Sequence, residues 1–204
     1  MTHVCDFFKN DSFFVEFCLL LRMSNYTLTH LSPSSDEFNK IAEHASRANP
    51  EECIISIERI NNPNVLASYE QRLTDLVARY DVVNQREVFH GSRNVTNYDK
   101  ILEGGFKAEF AKVCAYGKGV YFADAYQYSK SYSSKKQDGD YHIMLVCEIM
   151  YTKLVRGSSN LVMKDEAKDQ GCIFVDNIKS PTIFSVPTNS QMMPKYLIQF
   201  YTGK

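Results

Sequence analysis

Val88-Phe89-His90-Gly91-Ser92 is the stretch of this 204-residue chain on which the interpretation of the fold depends. It predicts a strand end, where Gly91 lets the backbone approach a neighbouring group because it has no side chain. A second stretch, Gly117-Lys118-Gly119-Val120-Tyr121-Phe122-Ala123, predicts a loop and then a buried strand. The P-loop pattern G-x-x-x-x-G-K-[ST] and the dinucleotide pattern G-x-G-x-x-G are both absent. The absence of the dinucleotide pattern argues against a Rossmann dehydrogenase.

Helical patterns surround the first stretch. A capping box, Ser34-x-x-Glu37, predicts a helix that stops at Asn49-Pro50. The turn at Asn61-Asn62-Pro63-Asn64 caps a second amphipathic helix over residues 66–80. A short helix follows from Asn94 and ends at two glycines.

Strands gather toward the C-terminal half. The apolar run 142–150 predicts a central strand, and residues 106–118 and 133–140 are predicted loops. The other candidates are a short helix through residues 126–132 and strands at residues 53–57, 87–90, 120–123, 173–175, 182–186 and 196–201. Many strands with few, early helices predict an α+β fold.

Bulk properties limit the classes of partner. The net charge of −1 gives no general attraction to nucleic acid or to a membrane. Six cysteines without a C-x-x-C pair predict buried free thiols and no metal site. Free thiols indicate a reducing compartment, so we expect an intracellular protein, either cytoplasmic or nuclear, with the cytoplasm favoured. The apolar run 13–21 is too short to span a bilayer. We expect residues 1–30 to be an appendage, packed on the domain or poorly ordered, and residues 31–204 to be the domain.

From Ser32 to Phe200 the sequence resembles the catalytic domain of the poly(ADP-ribose) polymerase (PARP) family of ADP-ribosyltransferases. It is most similar to the subgroup in which macrodomains often precede that domain. The resemblance implies the ADP-ribosyltransferase (diphtheria-toxin-like/PARP) fold, with split antiparallel-rich β-sheets and short flanking helices around an NAD cleft. It rests on the two stretches quoted above together with Ile57-Glu58-Arg59-Ile60-Asn61-Asn62-Pro63, Ala115-Tyr116, Tyr128-Ser129, Val175-Asp176-Asn177, Pro181-x-x-Phe184 and Pro194-Lys195-Tyr196-Leu197-Ile198.

The residues fit the task of holding NAD. The Gly91 backbone can pair with the nicotinamide carboxamide, and the Ser129 hydroxyl can add a donor. Tyr121 and Tyr132 offer two aromatic faces to the cationic ring. His90 can hydrogen-bond a ribose hydroxyl. The expected NAD-binding residues are His90, Gly91, Ser92, Tyr116, Tyr121, Ala123, Ser129 and Tyr132.

The resemblance also implies a limit on the reaction. Polymer-forming members have a His-Tyr-Glu triad, whereas aligning Pro181-Thr182-Ile183-Phe184 with that strand gives His90-Tyr121-Ile183 here, the family's mono-ADP-ribosylating pattern. Ile183 cannot activate the 2′-hydroxyl that elongation requires. We expect an acceptor Glu or Asp to supply the missing negative charge, so that transfer stops after one unit.

Alternatives stay open at this point. Glu103, Glu109, Glu148 or Asp124 could supply a substitute carboxylate. The chain could instead be a PARP-like binding module without turnover, or an NAD glycohydrolase with water as acceptor. The expected partners are NAD and an acceptor protein, including the chain itself; the near-neutral charge gives a nucleic-acid acceptor no special support.

Overall fold

The computed structural model describes residues 24–46, 54–135 and 141–201. The described strands are β1 Thr27–His30, β2 Ile54–Asn61, β3 Asn84–His90, β4 Val113–Cys114, β5 Gly117–Lys118, β6 Val120–Ala123, β7 Ser134–Lys135, β8 Tyr141–Tyr151, β9 Lys153–Arg156, β10 Cys172–Val175, β11 Ile183–Val186 and β12 Met192–Tyr201. The described helices are α1 Asp36–Ser46, α2 Pro63–Arg79, α3 Thr96–Gly104, α4 Tyr126–Lys130 and α5 Asp165–Asp169, with 3-10 turns at Ala108–Phe110 and Asn189–Gln191.

Ten strands of the described chain form one sheet that is nearly divided in two. Its order is β1-β2-β12-β8-β3-β6-β11-β10-β9, with β7 paired to β8, while β4 and β5 form a separate hairpin. Among the described residues, one register pair, Phe89 with Ala123, joins β3 to β6. The predicted α+β class is therefore confirmed, and so is the split arrangement of the strands.

Strand β8 lies in the interior of the sheet, and both of its faces are buried. Leu145 and Cys147 are buried in the cluster that includes α3, whereas Met144 and Val146 are buried in the cluster that includes α1. It pairs antiparallel with β12 on one side and with β3 on the other. A strand buried on both faces reads as a continuous apolar run, which is why the sequence predicted its position correctly.

Side-chain caps define the starts of the first two helices. The Asn62 side chain accepts from the backbone N–H groups of Asn64 and Val65, both at 3.2 Å, as the turn predicted. Helix α1 differs from prediction, because the Ser35 hydroxyl accepts from the Phe38 amide at 3.2 Å. The capping residue is thus Ser35 rather than Ser34, and the third helical residue is Phe38 rather than Glu37, so the prediction of a capping box is wrong.

The N-terminal boundary also moves. Residues 27–30 fell within the predicted appendage, but they form β1 and pair antiparallel with residues 58–61 of β2. The domain therefore includes Thr27, four residues before the predicted start. Residues 1–23, the predicted stop at Asn49-Pro50 and most of the 133–140 loop lie outside the described residues.

Two further predictions concern cysteines and membranes. Cys147 and Cys172 are buried free thiols, as predicted, and burial raises the pKa of each thiol. Cys5, Cys18 and Cys53 lie outside the described residues. Within the described ranges, no helix has the length and apolar character needed to cross a bilayer.

Candidate active site

The candidate site lies where the two parts of the sheet diverge. His90 follows directly after Phe89, the residue that joins β3 to β6. The His90 Nδ1 atom lies 2.8 Å from the Tyr121 carbonyl oxygen, and a carbonyl only accepts, so Nδ1 carries the proton. Burial lowers the pKa of His90, whose ring packs against Phe106 at 5.1 Å and Phe122 at 5.4 Å between centroids. The neutral ring therefore offers Nε2 as a hydrogen-bond acceptor.

The hydroxyl of Tyr121 fastens the loop that precedes its own strand. It accepts from the Tyr116 N–H at 2.8 Å and donates to the Gly117 carbonyl at 2.8 Å. Gly117 has φ +97°, and a side chain there would also overlap the ring of Phe174. The predicted loop over residues 106–118 thus ends in the β4–β5 hairpin, which is hydrogen-bonded to the Tyr121 hydroxyl.

Gly91 is held against the end of α4. A methyl group at Gly91 would overlap the carbonyl oxygen of Ser129, so glycine is needed for packing within the chain. The buried Ser129 hydroxyl donates to the Phe89 carbonyl at 2.9 Å. The predicted contact of Ser129 with a carboxamide would require this hydroxyl either to accept from the amide NH₂ or to rotate away from Phe89.

The second predicted aromatic face, Tyr132, lies just beyond α4 and is 41% exposed. Its ring centroid is 5.5 Å from that of Tyr128, and the Arg93 guanidinium lies 5.2 Å from the Tyr132 centroid. A hydrogen bond with Tyr132 raises the pKa of the Tyr128 hydroxyl to about 12. Tyr128 and Arg93 are thus neighbours of the site to which the sequence reasoning assigned no role.

Ile183 lies on the same face of the sheet as Tyr121. Ile183 pairs with Ala123 across the two strands, and Ser185 pairs with Tyr121. Residues two apart on a strand point to the same face of the sheet, so the side chains of Ile183 and Tyr121 share a face. Ile183 and Ala123 are both buried. The structure therefore places the side chains of both residues in the packed interior beside the site.

The backbone before Ile183 is fixed by a carboxylate. Asp176 accepts from the N–H groups of Thr182 at 2.9 Å and Ile183 at 3.0 Å, and from the Thr182 hydroxyl at 2.7 Å. Burial alone would raise the Asp176 pKa, but these hydrogen bonds outweigh it and lower the pKa. Asp176 was quoted from the sequence for its family pattern, and only the structure shows this contact.

Comparison with known proteins places the chain in a family. Residues 35–177 match the family described as the poly(ADP-ribose) polymerase catalytic domain. The chain belongs to the PARP family. This confirms the resemblance and the fold class predicted from the sequence.

Named PARP relatives cover most of this chain. Mouse protein mono-ADP-ribosyltransferase PARP12 is 32% identical over 184 residues, which are 85% of this chain and 25% of that protein. Human PARP14, also named a protein mono-ADP-ribosyltransferase, is 27% identical over 190 residues, covering 88% of this chain and 10% of that protein. Human PARP12 is 29% identical over 181 residues, with 85% and 25% covered. The chain spans a quarter or less of these curated relatives.

The predicted NAD-binding residues of this PARP-family chain lie together where β3 and β6 diverge. His90 contacts the Tyr121 backbone, the Tyr121 hydroxyl bonds to Tyr116, and Gly91 packs on Ser129. Ser92 begins the turn into α3, where its hydroxyl accepts from the Asn97 amide at 2.9 Å. Within the described residues, no group of three or more His, Cys, Asp or Glu side chains is placed to hold a metal ion.

The four carboxylates considered as substitutes for the triad glutamate all have partners in this PARP domain. Each bonds to a side chain of another element or segment. The pairs are Glu103 with Asn25 at 2.7 Å, Glu109 with Asn189 at 3.1 Å, Glu148 with Lys195 at 3.2 Å and Asp124 with Arg86 at 2.8 Å.

Proposed function

We propose that this domain is an NAD-dependent mono-ADP-ribosyltransferase, which transfers one ADP-ribose from NAD to an acceptor protein and releases nicotinamide. Membership in the PARP family supports NAD as the co-substrate. The relatives named above carry the name mono-ADP-ribosyltransferase, which supports transfer of a single unit.

The observation that carries the proposal is the contact between His90 and Tyr121 at the split in the sheet. It fixes the tautomer of His90 and leaves Nε2 to accept a ribose hydroxyl. The Tyr121 ring, fastened by its hydroxyl, and the exposed Tyr132 ring provide aromatic faces for the cationic nicotinamide. Stacking stabilises a charge that leaves the ring during cleavage, so it mainly strengthens ground-state binding and lowers the KM.

The reaction breaks the bond between the nicotinamide nitrogen and the anomeric carbon of its ribose. The bonding electrons return to the ring, which leaves as neutral nicotinamide, and the carbon develops oxocarbenium character. An acceptor carboxylate oxygen then bonds to that carbon, which gives an ester without release of a proton. Ile183 supplies no negative charge, so the acceptor supplies it and is consumed. We therefore propose glutamate or aspartate acceptors, including residues of this chain.

Incubation with NAD labelled in the adenylate part tests the proposal. Label bound to protein, with an equal amount of free nicotinamide, is the expected result. The control is His90→Ala, which removes the imidazole that accepts a hydrogen bond from the ribose hydroxyl. Incorporation of label into protein should fall at least about a hundredfold, as expected for loss of a group that positions the substrate. Free ADP-ribose without labelled protein would instead identify a glycohydrolase. NAD binding without nicotinamide release would identify a binding module.

A further inference from the structure

Tyr98 of α3 makes two hydrogen bonds that connect the site to the central strand. Its hydroxyl accepts from the Ser92 N–H at 2.9 Å and donates to the Ile143 carbonyl of β8 at 2.7 Å. The Tyr98 side chain is 2% exposed, so water does not compete for these bonds. From the sequence, Tyr98 was only one position in the short helix predicted after Asn94.

These bonds act on the segment that is expected to hold the carboxamide. Register pairing between β3 and β8 ends at His90 with Leu145. Beyond that point, the Tyr98 hydroxyl bridges Ser92 to β8, while Gly91 packs on the Ser129 carbonyl. The backbone of Gly91 is therefore fixed from both sides, by α3 and by α4.

We infer that Tyr98 is a positioning residue for NAD, which holds the Gly91 backbone in the orientation that pairs with the nicotinamide carboxamide. The inference rests on the proposed function, because it assigns a role in holding its substrate. Tyr98 acts through Ser92 and does not itself contact NAD. A grip that is ordered before the ligand arrives avoids the entropic cost of ordering it during binding.

Tyr98→Phe keeps the buried ring and removes only the hydroxyl. We expect the Kd for NAD to rise roughly five- to tenfold, the size of effect that loss of about one net hydrogen bond produces. The KM for NAD should rise in parallel while kcat stays within about twofold, because the carboxamide contact is made equally in the ground state and the transition state. The Ser92 amide should lose protection from hydrogen exchange in the NAD-free protein.

Tyr69→Phe is the matched control. Tyr69 is also 2% exposed, and its hydroxyl accepts from Gln85 at 3.4 Å, but it lies in α2 and packs on Met150. Both variants remove one hydroxyl from a buried ring, so both can lower stability. Only Tyr98→Phe should change the Kd for NAD and the exchange of the Ser92 amide.

Isothermal titration calorimetry measures the Kd of wild type and of both variants for NAD and for nicotinamide alone. Amide hydrogen exchange is followed by NMR. A Kd for Tyr98→Phe within twofold of wild type, with unchanged Ser92 exchange, would overturn the inference and leave the proposed function intact. An equal rise in Kd for Tyr69→Phe would overturn it as well, since the effect would then be general. Wild-type protein that binds neither NAD nor nicotinamide would overturn the proposed function, and the inference with it.

Discussion

Tyr121→Phe separates the two tasks of this residue, because it keeps the ring and removes the hydroxyl. The lost bonds are those to the Tyr116 N–H and the Gly117 carbonyl, each 2.8 Å long. Since Tyr121 is only partly buried, water can replace part of each bond, and the net loss should be about 1 to 2 kcal/mol. That loss corresponds to a local opening of the preceding loop that is roughly five to thirty times more frequent.

Hydrogen exchange of the Tyr116 amide measures this opening directly. The matched control is Tyr196→Phe, whose hydroxyl donates to Glu37 at 2.9 Å on the other part of the sheet. The control should leave exchange of the Tyr116 amide unchanged, whereas Tyr121→Phe should accelerate it by the factor given above. If the Tyr116 amide of Tyr121→Phe exchanges at a rate within twofold of wild type, the Tyr121 hydroxyl does not stabilise the loop and the assignment is refuted.

Three further substitutions test the packing around the site. The added methyl group of Gly91→Ala overlaps the Ser129 carbonyl and should lower the free energy of unfolding, measured by heat or denaturant, by about 1 to 3 kcal/mol. The control is Gly104→Ala, whose methyl group has its nearest contact at 3.9 Å and should not destabilise the protein. Equal stability of the two variants would contradict the packing argument. Asp176→Ala should be less stable than wild type at neutral pH by about 2 kcal/mol. Because the folded pKa of Asp176 is lowered, this difference should be complete above the ordinary aspartate range and vanish as the pH falls through the lowered pKa; a difference independent of pH would contradict it. Ile183→Glu places a carboxylate at a buried position and should lose stability. We expect no elongation by this variant, because the shape of the acceptor loop limits elongation as well as the missing carboxylate; long polymers on a labelled gel would refute that role of the loop.

Periodicity and family pattern were enough to place the main elements of the site. The predicted strand 120–123 matches β6, and the apolar run 142–150 lies within β8. Such strands are buried, so their side chains alone reveal them. Strand β9 at Lys153–Arg156 and helix α5 at Asp165–Asp169 were missed, since β9 lies at the sheet edge and α5 has no buried residue.

The hydrogen bonds of the site were beyond the reach of the sequence. Gly91 was explained by its approach to a ligand, but the structure adds a packing reason, because Ser129 lies directly against it. The partners of the Tyr98 and Tyr121 hydroxyls are backbone groups, which carry no signature in the sequence. Side-chain types predicted which residues gather, whereas backbone partners determine how they are held.

Mass spectrometry of the protein after prolonged incubation with NAD tests the central claim most directly. Wild-type protein should carry single ADP-ribose units on separate glutamate or aspartate residues, and His90→Ala should carry almost none. Chains of two or more units on one residue would contradict the account of Ile183 as the limit on product length. Equal modification of wild type and His90→Ala would contradict the site itself.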